Sequence, residues 1–172
     1  MRGLMGERPL LVTACLQHAA TFHGDTEIVS RSVEGPIHRY TYADAERGAR
    51  RLAKALLRLG IAPGDRVATL AWNSWRHFEL YYAISGIGAV CHTINPRLYD
   101  EQIVYIVNHA RDRVLFVETS FVPLVERLLP RFPADCRIVL LGPAETALPV
   151  VATYDELTGA EDVDYVWPDF DE

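Results

Sequence analysis

Apolar residues recur at two periods along this chain, and the switching between those periods outlines its architecture. Ala45, Ala49, Leu52, Leu56 and Leu59 follow one another in steps of four and three, which keeps them on one helical face. Arg47, Arg50, Arg51, Lys54 and Arg58 fall between them and are left to water. Thr41, with Asp44 three residues on, has the form of a capping box at the start of this helix. Gly60 follows the last periodic residue, where a left-handed cap needs no side chain. Pro63-Gly64-Asp65 then turns the chain into Val67-Ala68-Thr69-Leu70-Ala71, an apolar run with the length of a strand buried on both faces.

The same alternation continues to Leu141. Ser74 caps a helix carrying Trp75, Phe78, Tyr81, Tyr82 and Ile84, and Ala89 to Ile94 follows as a second strand. Asp100 and Glu101 open a helix whose buried face is Ile103, Ile106, Val107 and Ala110, before the strand Val114 to Val117. A helix marked by Leu124, Val125, Leu128 and Leu129 stops before Pro130 and Pro133, and Ile138 to Leu141 is the fourth strand. Upstream, Leu11, Ala14, Cys15, Ala19 and Phe22 predict a short amphipathic helix. Runs on either side of Glu34-Gly35-Pro36 predict a small hairpin. The expected fold is α/β, a mostly parallel sheet with helices on both faces, preceded by that hairpin. Residues 1–41 form the helix and hairpin and 42–142 the sheet lobe. Residues 143–172 read as an irregular acidic connector with a short helical turn near Tyr154 to Leu157.

The net charge of −6 belongs to the end of the chain. Glu161, Asp162, Asp164, Asp169, Asp171 and Glu172 stand there without a base, and the rest of the chain is balanced. Nothing in that distribution suggests a nucleic-acid surface. Cys15, Cys91 and Cys136 are an odd number with no close pair, which predicts reduced thiols and a cytoplasmic protein. Cys15 and His18 have no second ligand pair at metal-site spacing. The run Val12 to Cys15 loosely resembles a lipidation box, but its apolar stretch is short and Glu7 has the wrong sign for a signal peptide. No run approaches the ~20 apolar residues of a membrane span.

Open parallel sheets bind ligands beyond the carboxyl ends of their strands. The first strand delivers Trp72-Asn73-Ser74-Trp75-Arg76-His77 there. Trp72, Asn73, Arg76 and His77 are the candidate substrate-side wall, with Asn73 or His77 fixing a polar end. Packing of both tryptophans and solvation of Arg76 and His77 is the plainer alternative. His92 ends the second strand with no carboxylate near it in sequence, so a satisfied polar residue is expected there. Gly86-x-Gly88 fails the dinucleotide fingerprint, since Cys91 holds the third glycine's place and a helix precedes the pair, and the two glycines are expected to allow close helix–strand packing instead. No Gly-rich phosphate loop precedes a helix, and Lys54 is the sole lysine. No catalytic residue or metal ligand is assigned.

Tyr42-Ala43-Asp44, Arg51-Leu52-Ala53, Leu59 to Ala68, Asn73, Gly88-Ala89-Val90 and Asn95-Pro96-Arg97-Leu98 together resemble the start of an acyl-CoA synthetase of the adenylate-forming superfamily. Trp72-Asn73-x-x-Arg76-His77, with Gly88-Ala89-Val90-x-His92-Thr93-x-Asn95-Pro96-Arg97-Leu98, is similar to the medium- and long-chain fatty acid–CoA ligases in particular. The resemblance implies a parent enzyme that uses ATP, Mg and coenzyme A to convert a fatty acid to its CoA thioester, releasing AMP and pyrophosphate. The family's phosphate loop, its Gly-x-Thr-Glu motif, its ribose-binding Asp and its C-terminal lysine do not occur here. The chain therefore reads as an N-terminal fragment, inactive alone, cut upstream of that machinery. The alternative is a stand-alone, non-catalytic acyl-binding or dimerisation module. A flavodoxin-like regulator is disfavoured, since no acidic cluster or phosphate loop follows the first strand. The resemblance also implies a homodimer, with Leu10, Leu11, Val12 and Leu16 as the candidate contact.

Overall fold

A computed structural model describes residues 9–33 and 35–170. Glu7, the turn residue Glu34, and the final Asp171 and Glu172 lie outside the described residues. Helix α1 (Val12–Phe22) leads into strands β1 (Glu27–Arg31) and β2 (Ile37–Thr41), an antiparallel hairpin. Helix α2 (Tyr42–Arg58) follows, opened by the expected capping box: the Thr41 hydroxyl accepts from the Asp44 N–H at 3.2 Å, and the Asp44 carboxylate accepts from the Thr41 N–H at 3.0 Å. Gly60 ends the helix at φ +77°, a conformation that a side chain would strain. Then come β3 (Arg66–Leu70), α3 (Trp75–Gly86), β4 (Val90–Thr93), α4 (Asp100–Ala110), β5 (Val114–Val117), α5 (Val122–Leu128), β6 (Arg137–Leu140), β7 (Val150–Thr153) and α6 (Tyr154–Gly159).

The sheet is wholly parallel, in the order β4-β3-β5-β6-β7. Alternate side chains supply two cores. Val67, Val114, Phe116 and Val139 pack toward α1, α2, α3 and α6. Ala68, Leu70, Leu115, Val117, Ile138 and Leu140 pack toward α4 and α5. The expected α/β lobe with helices on both faces is therefore what this chain forms.

Three features differ from the sequence pattern. The stretch after Gly142 contributes a fifth strand, β7, as well as the anticipated helix α6. As an edge strand β7 is only partly buried, so its sequence carries no double-sided apolar run. Helix α1 buries Thr13 and Leu16, while Cys15 and Phe22 are exposed, because contacts with α2 and α3 turn it differently from its apolar stripe. Leu16, at 2% exposure, is core and unavailable to a partner.

The third difference concerns the basic face of α2, which is not simply solvated. Residues 161–167 lie along it as a strap. Glu161 pairs with Arg58 and Asp162 with Lys54, both at 2.6 Å. Arg50 donates to the Tyr165 carbonyl, and the Trp167 indole N–H donates to Glu46 at 3.2 Å. Positions 46, 50, 54 and 58 are successive turns of one helical face, so an extended segment can meet them in order. The Trp167 ring then covers Gly86, where a Cβ would stand 2.4 Å from the indole. Gly86 serves a contact with this strap, not the helix–strand packing its sequence context suggests.

Candidate functional site

The chain leaves β3 through a sharp bend, with the Ser74 N–H donating to the Trp72 carbonyl at 2.9 Å, and Ser74 then caps α3 through the His77 N–H at 3.4 Å. This bend sends the four candidate side chains in three directions. Asn73 and His77 line a cavity of about 350 Å³ between β1 and α3, walled also by Ile28, Val29, Phe78 and Tyr81. Trp72 turns the other way: its indole N–H donates to the Ser120 hydroxyl at 3.1 Å and its ring centroid lies 5.0 Å from that of Phe121. Arg76 is 9% exposed and lies over the Trp75 ring at 4.7 Å, with Asp155 3.6 Å away. It is packed, not solvated.

His77 has both ring nitrogens engaged. Its Nδ1–H donates to the Trp72 carbonyl at 3.0 Å, and its Nε2 accepts from the Thr69 hydroxyl at 2.9 Å. Burial holds its pKa below the ordinary value, so the imidazole is neutral at neutral pH. It therefore shows the cavity an apolar ring, stacked on Tyr81 at 4.7 Å. Asn73 is exposed, and its amide can meet a polar end.

Two groups escaped the sequence reading. His92 on β4 donates from Nδ1 to both carboxylate oxygens of Asp112 at 2.9 Å, and Asp112 is 1% exposed. The partner stands twenty residues later, on the far side of β3, and the small Ala68 beside His92 in the ladder leaves room between them. No local pattern announces such a pair. The second group centres on Glu79, 3% exposed in α3, whose carboxyl accepts from the Tyr154 hydroxyl. Burial pushes its pKa up to about 8, against the weaker pull of Arg51 and Arg76. A glutamate four residues after Trp75, on the stripe that continues to Ala83, was the available signal.

Among the described residues no group of three ligating side chains is placed to hold a metal ion. The chain also has no Gly-rich loop to cradle phosphates before a helix. No chemical step is assigned to the residues present.

Comparison with known proteins decides the family. Residues 16–165 match the AMP-binding enzyme family. This chain belongs to that family. It is 48% identical to the 3-methylmercaptopropionyl-CoA ligase of Ruegeria lacuscaerulensis, a match covering all of this chain and 33% of the relative. It is 42% identical to the medium-chain-fatty-acid–CoA ligase of Ectopseudomonas oleovorans, covering 100% of this chain and 32% of that protein. Among solved structures, a protein described as a long-chain-fatty-acid CoA ligase of Rhodopseudomonas palustris superposes with a TM-score of 0.78 at 26% identity. That match covers 96% of this chain and 40% of the other. The chain thus spans about a third of the length of the curated relatives it matches. No helix among its described residues is long and apolar enough to cross a membrane.

Proposed function

We propose that this chain is the N-terminal part of an ATP-dependent acid–CoA ligase and is catalytically incomplete on its own. The observation that carries the reading is the 48% identity over the whole chain to a CoA ligase three times its length. The whole protein would convert a carboxylic acid, ATP and coenzyme A to the acyl-CoA, AMP and pyrophosphate, with Mg as the nucleotide's partner. It would work in the cytoplasm, in keeping with three free cysteines. This lobe would supply part of the acyl side. Asn73 and His77 face the apolar cavity, while Trp72 anchors the His77 ring through its carbonyl and Arg76 buttresses Trp75.

The test uses the full-length protein with 3-methylmercaptopropionate, a medium-chain fatty acid and a long-chain fatty acid. Formation of a CoA thioester with stoichiometric AMP is expected for at least one of them. Absence of thioester with all three overturns the ligase reading. Asn73→Ala should change KM for the preferred acid more than KM for ATP, and an equal change in both would remove Asn73 from the acyl side. The 172-residue chain alone should show only background exchange of pyrophosphate into ATP. Substrate-dependent exchange by it would show that it is complete.

A further inference from the structure

A second groove, of about 500 Å³, opens on the far side of Trp75 between β2, α2, α3 and α6, and the acyl-side reading makes no use of it. At its floor the buried Glu79 carboxyl meets Tyr154, under a helix that carries no side chain at that point. A Cβ on Gly48 would lie 2.1 Å from the Glu79 carboxylate. Glycine inside a helix is unfavourable, and here its absence of side chain makes room for the Glu79 carboxyl at the floor. The Tyr40 hydroxyl is buried in the wall and has no hydrogen-bond partner among the described residues. Such an orphaned group is unfavourable unless something arrives to meet it. At the rim Arg51 is exposed and makes no ion pair among the described residues. Arg47 and Arg39, on the same rim, are held only by exposed pairs with Asp44 and Glu27, which exchange readily.

We propose that this groove binds the phosphoryl group of a small phosphorylated ligand, with Arg51 meeting it at the rim and the Tyr40 hydroxyl donating to it from the wall. Three guanidinium groups, Arg39, Arg47 and Arg51, outnumber the one rim carboxylate, Asp44, so the rim favours an anion, and a guanidinium matches a phosphate's oxygens bidentately. The His38 ring, stacked on Trp75 at 4.3 Å, gives the remainder of such a ligand an apolar wall. The raised pKa of Glu79, about 8, supports the assignment, because a protonated floor offers a donor and does not repel an anion. The site is separate from the acyl-side cavity and stands whether or not the ligase reading does.

The test reads Arg51 itself in the full-length protein, so that phosphate binding elsewhere does not confuse it. Phenylglyoxal labels arginine, and peptide mass spectrometry gives the labelling rate of Arg51. Inorganic phosphate should slow that rate about tenfold at saturation, whereas chloride at matched ionic strength should not. Tyr40→Phe should keep the wild-type Tm and lose most of the protection, since a hydrogen bond to a charged group is gone. Glycerol 3-phosphate is the second probe. Tighter protection by it identifies a phosphate ester as the occupant, and protection by phosphate alone identifies the free ion. Equal protection by chloride, undiminished protection in Tyr40→Phe, or a lowered Tm in that variant each overturns the proposal.

Discussion

Gly48 and Glu79 face each other across the α2–α3 contact, and the missing side chain of one makes room for the carboxyl group of the other. A carboxyl group so enclosed is held protonated by burial. Tyr154, Arg51 and Arg76 favour its ionised form and Asp44 opposes it, but burial outweighs them and sets the pKa at about 8. The unfolded chain loses this proton near the ordinary glutamate value of 4.5. Between those two values the folded state holds one proton more than the unfolded state. Stability from this group therefore falls as pH rises through the window and levels off above it. The cumulative loss is on the order of a few kcal/mol, at about 1.4 kcal/mol for each pKa unit. Glu79→Gln removes the titration, so its stability relative to wild type should rise steadily across the window. Urea unfolding of both proteins at the two ends of the window checks this. An identical difference at each end would mean that Glu79 is ionised in the fold.

Elements differ in how much of their role their own sequence carries. Strands β3, β5 and β6 are legible because burial on both faces demands unbroken apolar runs such as Val114 to Val117. Helix α2 is legible through its stripe and its capping box. The strap is not, because no periodicity links Lys54 to Asp162 or Arg58 to Glu161 across more than a hundred residues. The sequence shows basic residues on a helix and acids in a tail, and only the fold brings their spacings into register. For the same reason the four candidate residues were found as a cluster, but not the bend at Ser74 that divides them. The strap combines an exposed charge ladder with one buried anchor, and the two parts should respond differently. Salt weakens the ladder pairs, each of which has one partner open to solvent, Asp162 and Arg58, whereas Trp167 is held by packing. Raising the salt concentration should therefore speed amide exchange at residues 161–164 while leaving β5 protected. Trp167→Ala should destabilise the lobe by about 3–5 kcal/mol, the range for truncating a buried aromatic. Salt-independent exchange at 161–164 would mean that the ion pairs contribute nothing to holding the strap.

At the scale of the whole molecule, the notable feature is exposed apolar surface among the described residues. Leu10 is 76% exposed, Val12 50% and Phe22 68%, at the start of the chain and on α1, and Val29 and Ile37 add to it on the hairpin. Since the chain spans about a third of its relatives' length, either the remainder of the protein or a second copy can bury these side chains. We propose the second copy for α1, as the resemblance to long-chain ligases implies. Leu16, one of the four residues expected at that contact, lies in the core and takes no part, while the side chains of Leu10 and Val12 are exposed. The two covers differ in stoichiometry. An isologous contact closes at two subunits, whereas a surface bared by missing chain has no reason to close. Light scattering of the full-length protein across a dilution series distinguishes them, because a closed dimer gives one mass that halves on dilution. Leu10→Asp combined with Val12→Asp should shift that dissociation to higher protein concentration without lowering Tm, since neither side chain belongs to the folded core. A full-length protein that is monomeric throughout, or a dimer indifferent to both substitutions, places the contact elsewhere and leaves α1 to be covered by its own chain.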